Sequence, residues 1–151
     1  MVGIFLDERS VVSRSAQVDH ERKVAIYDLI EENRFKLAGD FSGPYNLHLS
    51  IAENRLIFDV RDTDENELTC FAQPLSSLRA VIKDYFMVCD SYYRAIKIST
   101  PSKIEAIDMG RRSLHNEGAK ILQERLAKKV EIDTDTARRL FTLICVLHIR
   151  A

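Results

Sequence analysis

The chain has 151 residues, 22 of them Lys or Arg and 23 Asp or Glu, for a net charge of −1; that length predicts one domain over residues 1–151. With 46% hydrophobic and 30% charged residues it has a globular makeup, able to bury about 68–70% of its extended surface without a disulfide or metal. The charge balance argues against a broad grip on nucleic acid, five Gly and three Pro exclude collagen-like and low-complexity classes, and the widely spaced Cys70, Cys89 and Cys145 suit a reducing cytoplasm.

Val2 to Leu6 is short and apolar and predicts a buried strand. The opening residues lack the basic and long apolar regions of a secretory signal. Asp7 to Val18 is polar and irregular and predicts a loop. Asp19 is placed as an N-cap, its carboxylate accepting from first-turn N–H groups, for a helix running to about Phe35 with Ile26, Leu29, Ile30 and Asn33 on one side. Gly39 to Pro44 carries turn chemistry. Three strands follow. Tyr45, Leu47, Leu49 and Ile51 alternate with polar residues, as do Leu56, Phe58 and Val60, and then Leu68, Cys70 and Ala72. Turns at Glu53-Asn54 and Asp62–Asn66 make this an antiparallel meander. The alternation leaves His48, Ser50, Asp59, Arg61, Thr69 and Gln73, with Ile57 and Phe71, on the wet face.

From Leu75 the period becomes 3.6. Helices are predicted over about 75–98, 103–129 and 134–150, the second opening with Pro101 and a Ser102-x-x-Glu105 capping box. The expected fold is α+β: a small antiparallel β-meander sheet packed with four helices, the last three consecutive. No apolar run reaches the roughly 20 residues that span a bilayer.

The third helix carries the informative anomaly. Advancing about 100° per residue, Ile104, Ile107, Leu114, Ile121, Leu122 and Leu126 define an apolar arc. Asp108, Arg111, His115, Gly118 and Arg125 fall inside it, and Arg112, Asn116 and Ala119 lie on its shoulder. One reading is a ligand pocket. Arg111 and Arg112 would offer guanidinium forks to a carboxylate or phosphate, and Asp108 would orient an arginine or the imidazole. His115 would donate to the anion or move a proton near neutral pH, while Gly118 would admit a ligand or a backbone. The other reading is a buried ion pair of Asp108 with Arg111 or Arg112, a histidine satisfied by a backbone carbonyl, and glycines that only permit close packing.

Elsewhere the signals are weaker. On the second helix Asp84 lies among small residues, either pairing with an arginine of the third helix or standing half in water. Cys145-x-x-His148 is a lone pair without the second pair a zinc site needs, so no metal is predicted. Arg138 and Arg139 read as solvent or ion-pair residues. Phosphate loop, dinucleotide fingerprint, nucleophile elbow and HExxH motif are all absent, and no cofactor is predicted.

Four segments carry a resemblance: Asp-His-Glu-Arg-Lys-Val-Ala-Ile-Tyr-Asp-Leu-Ile-Glu-Glu-Asn (19–33), Ile-Lys-Asp-Tyr-Phe-Met-Val-Cys-Asp-Ser-Tyr-Tyr (82–93), Ile-Glu-Ala-Ile-Asp-Met-Gly-Arg-Arg-Ser-Leu-His-Asn-Glu-Gly-Ala (104–119) and Asp-Thr-Ala-Arg-Arg-Leu-Phe-Thr-Leu-Ile-Cys-Val-Leu-His (135–148). Together they resemble an uncharacterised protein family of alphaproteobacteria, over nearly the whole chain. The resemblance implies a bacterial cytoplasmic protein that is a whole small domain. It brings no activity and no catalytic residues.

Three functions remain in play. The first is a binding or regulatory module for a small anionic ligand or a partner's acidic segment, using Arg111, Arg112, His115, Asp108, Asn116 and Asp84. The second is a hydrolase or transferase on a phosphorylated or carboxylated metabolite, using the same cluster with His115 as acid or base. The third is a homo-oligomeric structural or interaction protein. Binding ranks above catalysis because no nucleophile accompanies the cluster: Ser113 turns away and the cysteines lie on other elements.

Overall fold

The computed structural model of the chain describes residues 1–7 and 16–148. The alternating segments do pair as a meander: β3 (Asn46–Ala52), β4 (Arg55–Arg61) and β5 (Glu67–Pro74) run antiparallel. Glu53 and Asn54 both adopt positive φ, at 53° and 60°, as the two-residue turn joining the first pair requires. Leu47, Leu49, Leu56, Phe58 and Val60 form the inner face, each at most 1% exposed. Burial at that level is worth about 1.5–3 kcal/mol per side chain.

Two features go beyond the expected meander. β1 (Gly3–Leu6) pairs parallel with β3, so the four-stranded sheet, in the order β1-β3-β4-β5, is mixed. Only Ile4 of that strand is buried, and Phe5 stacks outward on His48. A second ribbon joins β2 (Phe35–Leu37) to β6 (Val130–Ile132), antiparallel. Phe35, expected at the end of the first helix, therefore begins a strand, and a strand separates the last two helices. Leu68 packs on the core as expected, but past the irregularity opposite Val60 and Arg61 the β5 faces are the reverse of expectation. Phe71 pairs with Phe58 and stacks on it at 5.0 Å, so Thr69, Phe71 and Gln73 face inward while Cys70 and Ala72 face out. Period two sets the alternation, but register with the neighbour decides which set is buried.

The helices are α1 (Ala16–Glu31), α2 (Arg79–Ile98, after a short 3-10 turn at Leu75–Ser77), α3 (Pro101–Leu126) and α4 (Thr134–His148). Asp19 lies within the first turn of α1 rather than capping it, where its charge still suits the helix dipole. Of the predicted loop, residues 8–15 lie outside the described residues and 16–18 are helical. At the far end of α1, Asn33 Nδ2 donates to the carbonyls of Leu29 and Met1. The capping box at Ser102 does not form; Thr100 caps α3, its Oγ1 accepting from the Lys103 amide, with Pro101 at the first helical position. Asp133 caps α4 by accepting from the Thr136 amide; the predicted end of that helix at 149–150 lies outside the described residues.

α4 is the central helix. Ala137, Leu140, Phe141, Leu143 and Ile144 are fully buried, and Cys145, Val146 and Leu147 nearly so. The helix's broad apolar face is covered by neighbours, while Asp135, Arg138, Arg139 and Thr142 mark a polar edge: α1 and α3 flank α4, and α2 packs against α3. Gly118 on α3 is a tight contact with α4: a Cβ there would collide with the outer edge of the Phe141 ring. The glycine therefore admits neither ligand nor backbone; it makes room for an aromatic side chain. Gly110, with nothing within 4 Å of its would-be Cβ, supports no packing.

Candidate functional site

The flanks of α4 leave a cleft of about 410 Å³ between α1, α3 and α4. α3 brings Arg111, Arg112 and His115 to it, α4 brings Arg138, Arg139 and Thr142, α1 brings His20, Glu21 and Asp28, and α2 brings Tyr85. The contribution of α3 follows from its inward polar arc. Asp108, one turn earlier, accepts from Arg111 at 2.6 Å and 3.1 Å through Oδ1, while its Oδ2 lies 3.2 Å from Arg112 Nε. Two guanidinium groups thus share one carboxylate, and the cleft's other acids, Glu21, Asp28 and Asp135, come from α1 and α4. Arg111 is further fixed with its guanidinium 4.8 Å over the Tyr92 ring. On the opposite wall the pairings are looser: Arg138 lies 3.7 Å from Asp135 and Arg139 3.5 Å from Asp28.

The base of the cleft is aromatic and uncharged. His115 meets Phe141 edge-on at 5.2 Å and Tyr85 at 5.4 Å. Its Nε2 is 2.7 Å from Thr142 Oγ1, and Thr142 Oγ1 donates to the Arg138 carbonyl at 3.2 Å. The single hydroxyl proton is thereby committed, so Nε2 carries the imidazole proton and donates it to Thr142. The lone pair of Nδ1 is left as the ring's acceptor. Burial, reinforced by the charges of Arg138 and Arg111, pushes His115 down to about 4. The ring is neutral at pH 7. It does not titrate near neutrality, which corrects the expectation of a proton carrier in that range. Burial likewise drives the Tyr85 hydroxyl far above its ordinary value, so it stays protonated.

Four of the six residues singled out from the sequence come together: Arg111, Arg112 and His115 line the cleft and Asp108 braces the two arginines. Asp84 and Asn116 are exposed and outside it. Arg125, placed on the inward arc, is exposed as well. Sequence reasoning missed the walls supplied by α1 and α4. On α1, Glu21, Asp28 and the buried Ala25 lie four and seven residues apart on one helical stripe. That signal was open to the same 100° arithmetic. Among the described residues no group of three or more His, Cys, Asp or Glu could hold a metal, so Cys145 and His148 gain no further ligand.

The lowered His115 value carries a sign for stability. Between its ordinary 6.5 and about 4, the unfolded chain takes a proton that the folded ring refuses. The contribution is therefore complete above pH 6.5 and is lost as the pH falls toward 4. His148, also lowered by burial, acts in the same direction. His115→Gln is expected to remove part of the fall in melting temperature between pH 6.5 and pH 4. A variant with the wild-type slope across that window would contradict the assignment.

Fold and site together define a small α+β protein with an arginine-lined cleft among its helices and, among the described residues, no helix long and apolar enough to cross a membrane. The chain belongs to the uncharacterised protein family UPF0262, whose profile matches residues 1–150. It is 60% identical to a member of that family from Paramagnetospirillum magneticum over 147 residues, covering 97% of this chain and 94% of the relative. It is 57% identical to one from Rhodospirillum rubrum over 150 residues, 99% and 92% of the two chains. A third, from Rhodopseudomonas palustris, is 55% identical over 148 residues, 98% and 91% of the two chains. No solved structure matches the chain.

Proposed function

We propose that the protein is a cytoplasmic binding or regulatory module whose helical cleft takes a small anionic ligand, a carboxylate or a phosphate. The observation that carries this reading is the sharing of Asp108 by Arg111 and Arg112 at the cleft wall, facing Arg138 and Arg139 across it. An anion entering there meets guanidinium N–H groups that the protein's own carboxylates leave unused. The loose contacts of Arg138 and Arg139 can be exchanged for a bidentate ligand at small cost. Asp108 and Tyr92 hold Arg111 in place beforehand, which limits the entropy lost on binding. His115 serves as a neutral base plate, its Nδ1 able to accept from a protonated ligand oxygen. A cleft of about 410 Å³ suits a metabolite better than a partner's peptide segment. The chain acts, on this reading, as one domain.

Catalysis ranks second. A hydrolase or transferase needs an activated nucleophile, and of the two hydroxyls among the described lining residues Thr142 is engaged with the Arg138 carbonyl and Tyr85 is held protonated by burial. Homo-oligomerisation draws support from Val24, Tyr27 and Ile30, exposed at three-residue spacing along α1.

The test is thermal unfolding with phosphate, citrate and short carboxylates at constant ionic strength. A ligand at about 100 times its dissociation constant adds about 2.7 kcal/mol to stability, a rise of several degrees. Arg112 and Arg138 are 58% and 45% exposed, so Arg112→Gln with Arg138→Gln should leave the free protein's melting point nearly unchanged and abolish the rise. No rise with any anion, or an unchanged rise in the double variant, overturns the reading.

A further inference from the structure

A second cavity of about 400 Å³ adjoins the arginine cleft, sharing Glu21, Tyr85 and Thr142 with it. Its own walls are Phe86, Cys89, Tyr93, Cys145 and Val146, with Asp90 on exposed surface of α2. From this juxtaposition we propose that the ligand is an amphiphile, with a carboxylate or phosphate head on the arginines and an alkyl or acyl tail in the second cavity. The inference rests on the anion-binding reading and adds the ligand's class to it.

Three features favour this occupant. At the shared neck Thr142 and Glu21 already have partners: His115 donates to Thr142, Thr142 donates to the Arg138 carbonyl, and Tyr93 donates to Glu21 Oε1 at 3.0 Å. A hydrocarbon passing Thr142 therefore strips no hydrogen bond from it. Between its acidic edges at Glu21 and Asp90 the inner cavity is apolar or neutral, the thiols of Cys89 and Cys145 being held protonated by burial. Finally, the charges orient the ligand. Glu21 is common to both cavities, but Asp90 borders only the inner one, whereas Arg111, Arg112, Arg138 and Arg139 line only the outer cleft. Taking about 30 Å³ for a water-sized group, the cavity admits about a dozen such groups, the scale of a medium-length chain.

The full-length protein is titrated calorimetrically at fixed salt with acetate, hexanoate, octanoate and decanoate, with inorganic phosphate as the tailless phosphate and octan-1-ol as the headless control. Each methylene removed from water should tighten binding about fourfold, so affinity climbs along the series until the cavity is filled, and octanoate outbinds octanol. Cys89→Phe, which fills the inner cavity, should reduce the longer acids to the affinity of acetate. Arg112→Gln with Arg138→Gln should weaken every acid by a similar factor. If phosphate and acetate bind but lengthening the chain adds nothing, the amphiphile is excluded and the anion cleft stands. If affinity grows with length while the arginine variant and octanol behave like wild type and octanoate, the anion cleft itself fails and this proposal with it. If nothing binds, both fall. The wild-type series with octanol decides among these outcomes even if Cys89→Phe does not fold.

Discussion

Phe141→Ala is expected to be the most destabilising single change available near the cleft, costing about 3–5 kcal/mol. The ring is 0% exposed at the centre of α4. It meets Tyr85 edge-on at 5.9 Å and His115 at 5.2 Å, and its outer edge occupies the space left by Gly118. Truncation therefore removes the transfer energy of a phenyl group and leaves a void that three helices border, none of which can close it without moving the others. Small domains have about 5–15 kcal/mol in total, so the variant should unfold at much lower denaturant, its midpoint displaced and its slope retained. A loss below about 1 kcal/mol would mean that the ring is not the keystone described. Because the same ring underlies His115, the loss should also blunt any anion-dependent stabilisation.

The second large effect is a pair of opposite signs. Ala is favoured over Gly within a helix by about 1 kcal/mol, and Gly110→Ala should gain about that much because its new methyl group meets nothing within 4 Å. Gly118→Ala should instead destabilise by about 1–3 kcal/mol, since its methyl group would collide with the edge of the fully buried Phe141 ring, which must shift or push the helices apart. Phe141→Leu should recover part of the loss when combined with Gly118→Ala. The recovery, read as a double-mutant cycle, isolates the contact from the propensity change common to both glycines. Equal and favourable effects at the two positions would refute the close approach.

How much of this was legible beforehand depended on the range of the interaction. The β3-β4-β5 meander is written in alternation and in a two-residue turn, both local. The polar arc of α3 is equally local, and the placement of Asp108, Arg111 and His115 follows from 3.6 residues per turn. The inward face of β5 was not legible, because Phe71 and Cys70 are both acceptable in a core and only the register against Phe58 chooses between them. β2 and β6 have three residues each, too few for any period to register. The cleft's other half depended on which helices are neighbours. Arg138 and Arg139 on α4, and Asp28 on α1, gain their meaning only when α1 lies beside α4. Asp84 failed for the same reason: its small-residue surroundings suit a close helix, but the residue itself stands exposed.

The ribbon of β2 and β6 has a mechanical consequence. It joins the end of α1 to the beginning of α4, and the Arg34 amide donates to Thr136 Oγ1 across that junction at 2.9 Å. Two walls of the recess are therefore fastened together at one end, like the arms of tweezers at their spring. Widening by a given angle about this junction displaces Arg139, beside it, less than Cys145 and Val146, which lie further along α4. Guests of different bulk should be accommodated at the tips, while spacing beside the joint stays nearly constant.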